Sequence, residues 1–365
     1  MPLLFTKQAI GPLVLANRLV RSATAELMAD DEGVPTKKLA ALYTQLAAGG
    51  VGLIITGHLY VHPSGKAHRA MTGIYDDRLI PELRRLTDAV HEQGGKIAAQ
   101  INHAGAQSSE GSLRTLLAPS DVSAAPPKRA ARAMSSDEIM QTIDWFAQAA
   151  GRARAAEFDA VQLHAAHGYL GSQFLSPRTN KRRDGWGGDL EGRMRFLQRM
   201  ARRVREEVGE AFPVFVKLGV FDEAAGGLTV DDGLRVISEL AGVGLDAVEV
   251  SGGIASSRGF NIADKIRPGA GEAYFRPMAQ RAQSRTNLPI LLVGGLRSRA
   301  VMEDVLSSGD AQFISLSRPL ICEPDLPKRL LERRQDEARC ISGNRCWPES
   351  PGDSIACRCF ASVSG

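Results

Sequence analysis

His164 and His167 lie three residues apart in QLHAAHGYL, so both imidazoles can offer N–H groups to a single oxygen atom. Tyr169, two residues on, carries a phenol that can serve as a proton donor. A metal pair is the other use for two such histidines, but no third His, Asp or Glu ligand lies in the same segment. Lys217 ends the otherwise apolar run FPVFVKL, and a buried charge needs a partner. Its ammonium suits an anionic cofactor, and its amine suits a Schiff base as in barrel aldolases; the residues alone leave both open. Gly294 and Gly295 offer backbone N–H groups with no Cβ in the way, and Ser317-Arg318 adds a hydroxyl and a fork of charged donors. Together they read as a phosphate site.

These residues share a position: each lies at or just after the end of a short apolar run. The runs are NRLVRSA (17–23), VGLIITG (51–57), KIAAQI (96–101), DAVQLH (159–164), FPVFVKL (212–218), DAVEVS (246–251), PILLVGG (289–295) and AQFISLS (311–317). Most are nearly continuous in apolar residues, as parallel strands covered on both faces should be. Helical segments alternate with them. Asp76 to Glu92 carries Leu79, Leu83, Leu86 and Val90 on one face and stops at Gly94-Gly95. Ser135 with Glu138, and Thr229 with Asp232, open two more.

Phe158-Asp159-Ala160, Leu245-Asp246-Ala247 and Gly309-Asp310-Ala311 each lead straight into a strand, a weak internal echo of one repeating unit. Eight β–α units predict an α/β fold, a (β/α)8 TIM barrel, as a single domain over 1–335 followed by a cysteine-containing tail over 336–365. A doubly wound open sheet is the competing architecture. In a barrel, strand ends form the catalytic face, which places Ser22, Ala23, Thr24, Gly57 and Gln100 there with the residues above. Two long connections, 104–134 and 252–275, follow strands and are expected to shape the substrate site.

With 44% hydrophobic and 24% charged residues, the composition is that of a globular protein with a large core. A net charge of +4 from 45 basic and 41 acidic residues, with only Lys181-Arg182-Arg183 as a basic run, argues against nucleic acid. No secretory leader and no membrane span is expected, so the cytoplasm is the expected location.

NRLVRSATAE, AQINHAG and HAAHGYLGSQFLSPRTNKRRDGWGG, in this order, resemble the old yellow enzyme family of FMN-dependent ene-reductases and NADH:flavin oxidoreductases, from about residue 3 to about residue 335. The resemblance implies FMN, with NADH or NADPH as hydride donor and an enone-type small molecule as acceptor, in a ping-pong cycle. It implies that Ser22, Ala23 and Thr24 line the flavin, that Gln100 binds its pyrimidine edge, and that Gly57 approaches it by its backbone. Lys217 would stand beside flavin N1 and the C2 oxygen, and Gly294, Gly295 and Arg318 would hold the phosphate. His164 and His167 would bind the substrate carbonyl and Tyr169 would protonate the α-carbon. By family analogy a dimer or higher homo-oligomer is expected.

The sequence departs from the family in places. Ala25 stands where a flavin-tuning Thr or Cys is usual, and His58 where the residue is usually small. Cys340, Cys346, Cys357 and Cys359 resemble the [4Fe–4S] segment of the dienoyl-CoA reductase branch, but Gly343 replaces the second cysteine of the opening C-x-x-C. With no spacing that matches a known site, neither a cluster nor zinc is expected there. Nor does the sequence carry the flavin- and nicotinamide-binding domains that such a cluster would serve, so a self-contained ene-reductase is expected.

Overall fold

Each of the eight apolar runs forms a strand, and each strand pairs in parallel with the next. In the computed structural model, which describes residues 2–113, 115–121, 130–254, 263, 266, 267, 269, 271–348 and 353–360, these are β1 (Leu19–Arg21), β2 (Leu53–Ile55), β3 (Ile97–Asn102) and β4 (Ala160–Ala165), then β5 (Val214–Gly219), β6 (Ala247–Ser251), β7 (Ile290–Leu292) and β8 (Phe313–Leu316). Pairing runs β1 to β8 in order, and β8 returns to β1, so the sheet closes into a (β/α)8 barrel. An open doubly wound sheet is thereby ruled out.

The outer ring comprises α1 (Lys37–Ala48), α2 (Ile80–His91), α3 (Ser136–Ala155) and α4 (Leu190–Val208), followed by α5 (Val230–Leu240), α6 (Arg276–Gln283), α7 (Arg299–Ser307) and α8 (Leu326–Leu331). Both expected capping boxes are formed, Ser135 with Glu138 at α3 and Thr229 with Asp232 at α5. Helix and strand faces merge into one continuous core outside the barrel.

Strand periodicity stacks the barrel interior in layers. The lowest is apolar: Val20, Leu53, Ile55, Ala98, Ala160, Phe215, Ala247, Leu291 and Phe313 pack with Ile10 and Leu15. Those last two come from an antiparallel pair, Gln8–Ile10 with Leu13–Leu15, that plugs the bottom of the barrel. Two residues further along the strands the interior turns polar, with Ser22, Gln100, Gln162, Lys217, Glu249 and Ser315 all buried.

The aspartate echo is structural. Asp159 accepts a hydrogen bond from the Ile97 N–H (2.8 Å) and Asp246 from the Val214 N–H (2.7 Å), each tying down the first N–H of a neighbouring strand. Asp310 takes the Arg276 side chain from α6 (2.6 Å). The tail packs onto the barrel, with Ala338, Cys340, Cys346 and Ile355 in the same core. Ile355 N–H donates to Glu26 O (3.1 Å) and Ala338 N–H to Arg297 O (3.0 Å). Among the described residues no helix is long and apolar enough to cross a membrane.

Ser135→Ala removes the acceptor for the Glu138 N–H at the start of α3. It is expected to cost about 1 kcal/mol, read as a lower urea midpoint with an unchanged m-value.

Candidate functional site

One cavity of ≈ 630 Å³ opens at the C-terminal end of the barrel. Ser22, Ala23, Thr24, Gln100, His164, His167, Tyr169, Lys217, Gly294, Gly295, Ser317 and Arg318 all line it. Residues expected from scattered strand ends are thus brought to one place, and the size suits a small-molecule ligand. Gly57 is the exception. Its N–H donates to Glu26 Oε1 (2.8 Å), and a Cβ there would sit 1.9 Å from Glu26 Oε2. Glu26 is in turn held by Arg21 (2.8 Å) and the Tyr43 hydroxyl (2.7 Å). Position 57 needs glycine to admit that buried carboxylate, and His58 lines the cavity instead.

The cavity floor is a closed ionic network. Lys217 and Glu249 are register partners on β5 and β6, with Nζ 3.3 Å from Oε2. Lys217 Nζ also donates to Ser22 Oγ (2.7 Å), and Ser22 Oγ donates to Glu249 Oε1 (2.7 Å). Gln162 Nε2 donates to Glu249 Oε2 (2.8 Å), and Gln100 Nε2 donates to Gln162 Oε1 (2.6 Å). Glu249 is fully buried, so its charge is compensated only by these contacts. The sequence carried the signal: DAVEVS places a carboxylate inside an apolar strand, in step with Lys217 one strand earlier.

Above this floor stand the imidazoles. His164 Nδ1 accepts the Ala166 N–H (3.2 Å), which leaves the ring proton on Nε2. His167 sits perpendicular to it at 5.2 Å between ring centres, with Nε2 2.8 Å from Ser251 Oγ. His167 takes a left-handed backbone (φ +58°), an uncommon conformation for a non-glycine residue. Tyr169 lies 4.9 Å from the His164 ring. Burial, reinforced by the neighbouring Lys217, pushes His167 down to about 3, and burial, reinforced by His167, His58 and Lys217, holds His164 well below the usual histidine value. Burial raises the Tyr169 phenol to about 12. At neutral pH the group is therefore two neutral imidazoles and a protonated phenol.

The residues expected to hold a phosphate also come together. Gly294 and Gly295 take positive φ (+129° and +73°), and a Cβ on either would meet Tyr274 or Phe275 at 3.0–3.1 Å. Arg318 Nη1 donates to Asn344 Oδ1 (2.6 Å) and Ala263 O (2.8 Å), so it also ties down the tail. Arg297 was not foreseen. It lines the cavity, and its two terminal nitrogens donate to Ile266 O and Ala338 O. Among the described residues its buried Nε and the Ser315 Oγ have no hydrogen-bond partner. Unmet buried donors beside two open glycine N–H groups fit a bound anion. Thr24 Oγ1 contacts Ser317 Oγ (2.7 Å) and donates to Ser22 O (3.0 Å), so its hydroxyl is already engaged.

Both long loops reach the cavity, through Gln107 and Ser109 from one and Tyr274 and Phe275 from the other. Parts of both loops lie outside the described residues. The tail contributes Ser342 and Trp347. Its cysteines are free thiols, and Cys359 Sγ lies 3.0 Å from where a Cβ on Gly343 would stand. Even so, among the described residues no group of three or more His, Cys, Asp or Glu is arranged to hold a metal.

Residues 3–337 match the NADH:flavin oxidoreductase / NADH oxidase family. A relative described as NADH oxidase, from Thermoanaerobacter brockii, is 37% identical over 348 residues, covering 94% of this chain and 53% of its own length. The chain thus spans about half of that relative. An NADPH dehydrogenase from Geobacillus sp. is 33% identical, covering 89% of this chain and 92% of the relative. An old yellow enzyme homologue from Zymomonas mobilis superimposes with a TM-score of 0.80 at 29% identity, over 92% of this chain and 94% of that one.

Lys217→Met strands the buried Glu249 and is expected to destabilise the fold by about 3–5 kcal/mol. Removing both charges in Lys217→Met/Glu249→Met is expected to recover most of that loss, as measured by urea unfolding.

Proposed function

The chain belongs to the NADH:flavin oxidoreductase / NADH oxidase family, and from that membership we propose that it is an FMN-dependent oxidoreductase passing hydride from NADH or NADPH to the β-carbon of an α,β-unsaturated carbonyl compound. The observation that carries this reading is the union, in one cavity, of a fixed cation on the floor with two neutral imidazoles and a protonated phenol above it.

FMN, when bound, supplies the carrier that takes a hydride from the nicotinamide and later gives one up. Lys217 and Gln100 would hold the flavin's polar ring edge with a positive charge and an amide. The backbone of Gly294 and Gly295, with Ser317, Arg318 and Arg297, would supply donors to its phosphate. His164, through Nε2–H, and His167 donate to the substrate carbonyl oxygen. Drawing electron density onto that oxygen makes the β-carbon electrophilic. Tyr169 holds a proton for the α-carbon. Because a single cavity serves both reactants, the nicotinamide and the alkene take turns in it, which is a ping-pong order.

The aldolase alternative needs an amine lone pair on Lys217. Here the ammonium is held between Glu249 and Ser22, an arrangement suited to a permanent charge.

Half-reactions test the reading. NADH or NADPH is expected to bleach the protein-bound flavin anaerobically, and 2-cyclohexen-1-one to restore the colour. A flavin that the enone leaves reduced would overturn the reading. Tyr169→Phe is expected to slow the recolouring step by about 100-fold while the bleaching step keeps its rate. Since His167 titrates only at about 3 and Tyr169 at about 12, the imidazoles stay neutral and the phenol stays protonated across about pH 5.5–9. The wild-type recolouring rate should therefore show no inflection near the ordinary histidine value, as checked by stopped-flow absorbance.

A further inference from the structure

The first imidazole pair is not the only one in the cavity. His58 and His68 also line it, on the segment that follows β2, with ring centres 5.6 Å apart. Both ring nitrogens of His68 are closed off from solvent, and neither has a hydrogen-bond partner among the described residues. An imidazole always presents at least one N–H, so burying it unpaired carries a cost that a ligand acceptor would remove. His58 is half committed: its Nδ1 accepts from Asn102 Nδ2 (2.9 Å), which leaves the hydrogen on Nε2. The His58 ring lies 5.0 Å from the Tyr169 ring and 6.1 Å from the His164 ring. His58 therefore links the carbonyl-binding pair to His68, and donors continue along one wall past the point where a single carbonyl oxygen ends.

We propose that His68, assisted by His58, is a second anchor for substrate oxygen, and that the chain prefers alkenes carrying a second carbonyl-type acceptor (ketone, ester or carboxylate) on the carbon remote from the first. This rests on the enone reading above and names the substrate class that the same cavity selects. The polarising pair holds the carbonyl conjugated to the alkene. The second anchor fixes the other end, which sets the register of the β-carbon without acting on the reacting atoms. His68 is thus a specificity-determining residue.

Two probes of similar shape separate the cases: methyl trans-4-oxo-2-pentenoate, with two acceptors, and trans-3-penten-2-one, with one. Anaerobic titration of the flavin-loaded protein, followed by perturbation of the flavin absorbance, gives a dissociation constant for each. Wild type is expected to bind the two-acceptor probe more tightly. In His68→Leu the preference between the probes should shrink about tenfold, the worth of one lost hydrogen bond at a buried site. His68→Asn, which keeps an N–H, should restore much of it. Equal weakening of both probes in His68→Leu, with no rescue by Asn, would make His68 a packing residue and overturn the proposal. Turnover keeps the two claims apart. A wild-type protein that reduces neither probe overturns the enone reading and this inference with it. One that reduces both, with a preference indifferent to residue 68, overturns the second anchor alone.

Discussion

An ammonium and a carboxylate face one another inside the barrel, at Lys217 and Glu249, with almost no access to water. Neither charge is tolerable there alone, because desolvating an ion costs several kcal/mol, about as much as a small domain's whole margin of stability. Their pairing therefore dictates the neighbours. Ser22 bridges the two charges, Gln162 takes the second carboxylate oxygen, and Gln100 completes the chain. Gln100, Gln162, Lys217 and Glu249 come from four successive strands and Ser22 from the residue after β1, so the layer assembles only when the barrel is closed. Below it the interior is apolar; above it His164, His167 and Tyr169 line the cavity.

That layering is strand periodicity turned into function. Ala160, Gln162 and His164 alternate along β4 and point inward at three successive heights. Phe215 and Lys217 on β5, and Ala247, Glu249 and Ser251 on β6, follow the same rule. Apolar base, ionic floor and reactive rim are thus successive rungs of the same strands. The loops and the tail complete the rim. Arg297 and Arg318 hold the tail by its carbonyl and amide oxygens and also line the cavity, so the tail's position is tied to the arginine-lined end of the cavity.

The elements were legible because their signals are local. Apolar runs became strands and two capping boxes became helix starts, while the spacing of His164, His167 and Tyr169 became a cluster. What the sequence hid depends on contacts between distant segments. Glu249 reads as a charge in a strand until strand register sets it opposite Lys217. His68 and Arg297 carry no motif, and only the closed barrel turns them to the cavity. Gly57 shows the reverse: a glycine at a strand end was expected to approach a ligand, but it makes room for the carboxylate of Glu26. A Cβ-free position says that something comes close, not what it is.

Most of this depends on one proposed occupant, a flavin mononucleotide that Lys217 would face and whose phosphate Gly294, Gly295, Arg297 and Arg318 would hold. The most direct measurement is the visible spectrum of the purified protein, combined with identification and quantitation of the flavin released by acid. One FMN per chain, lost together with the yellow colour, is the predicted result. A folded protein that is colourless and takes up no FMN when it is supplied would contradict it.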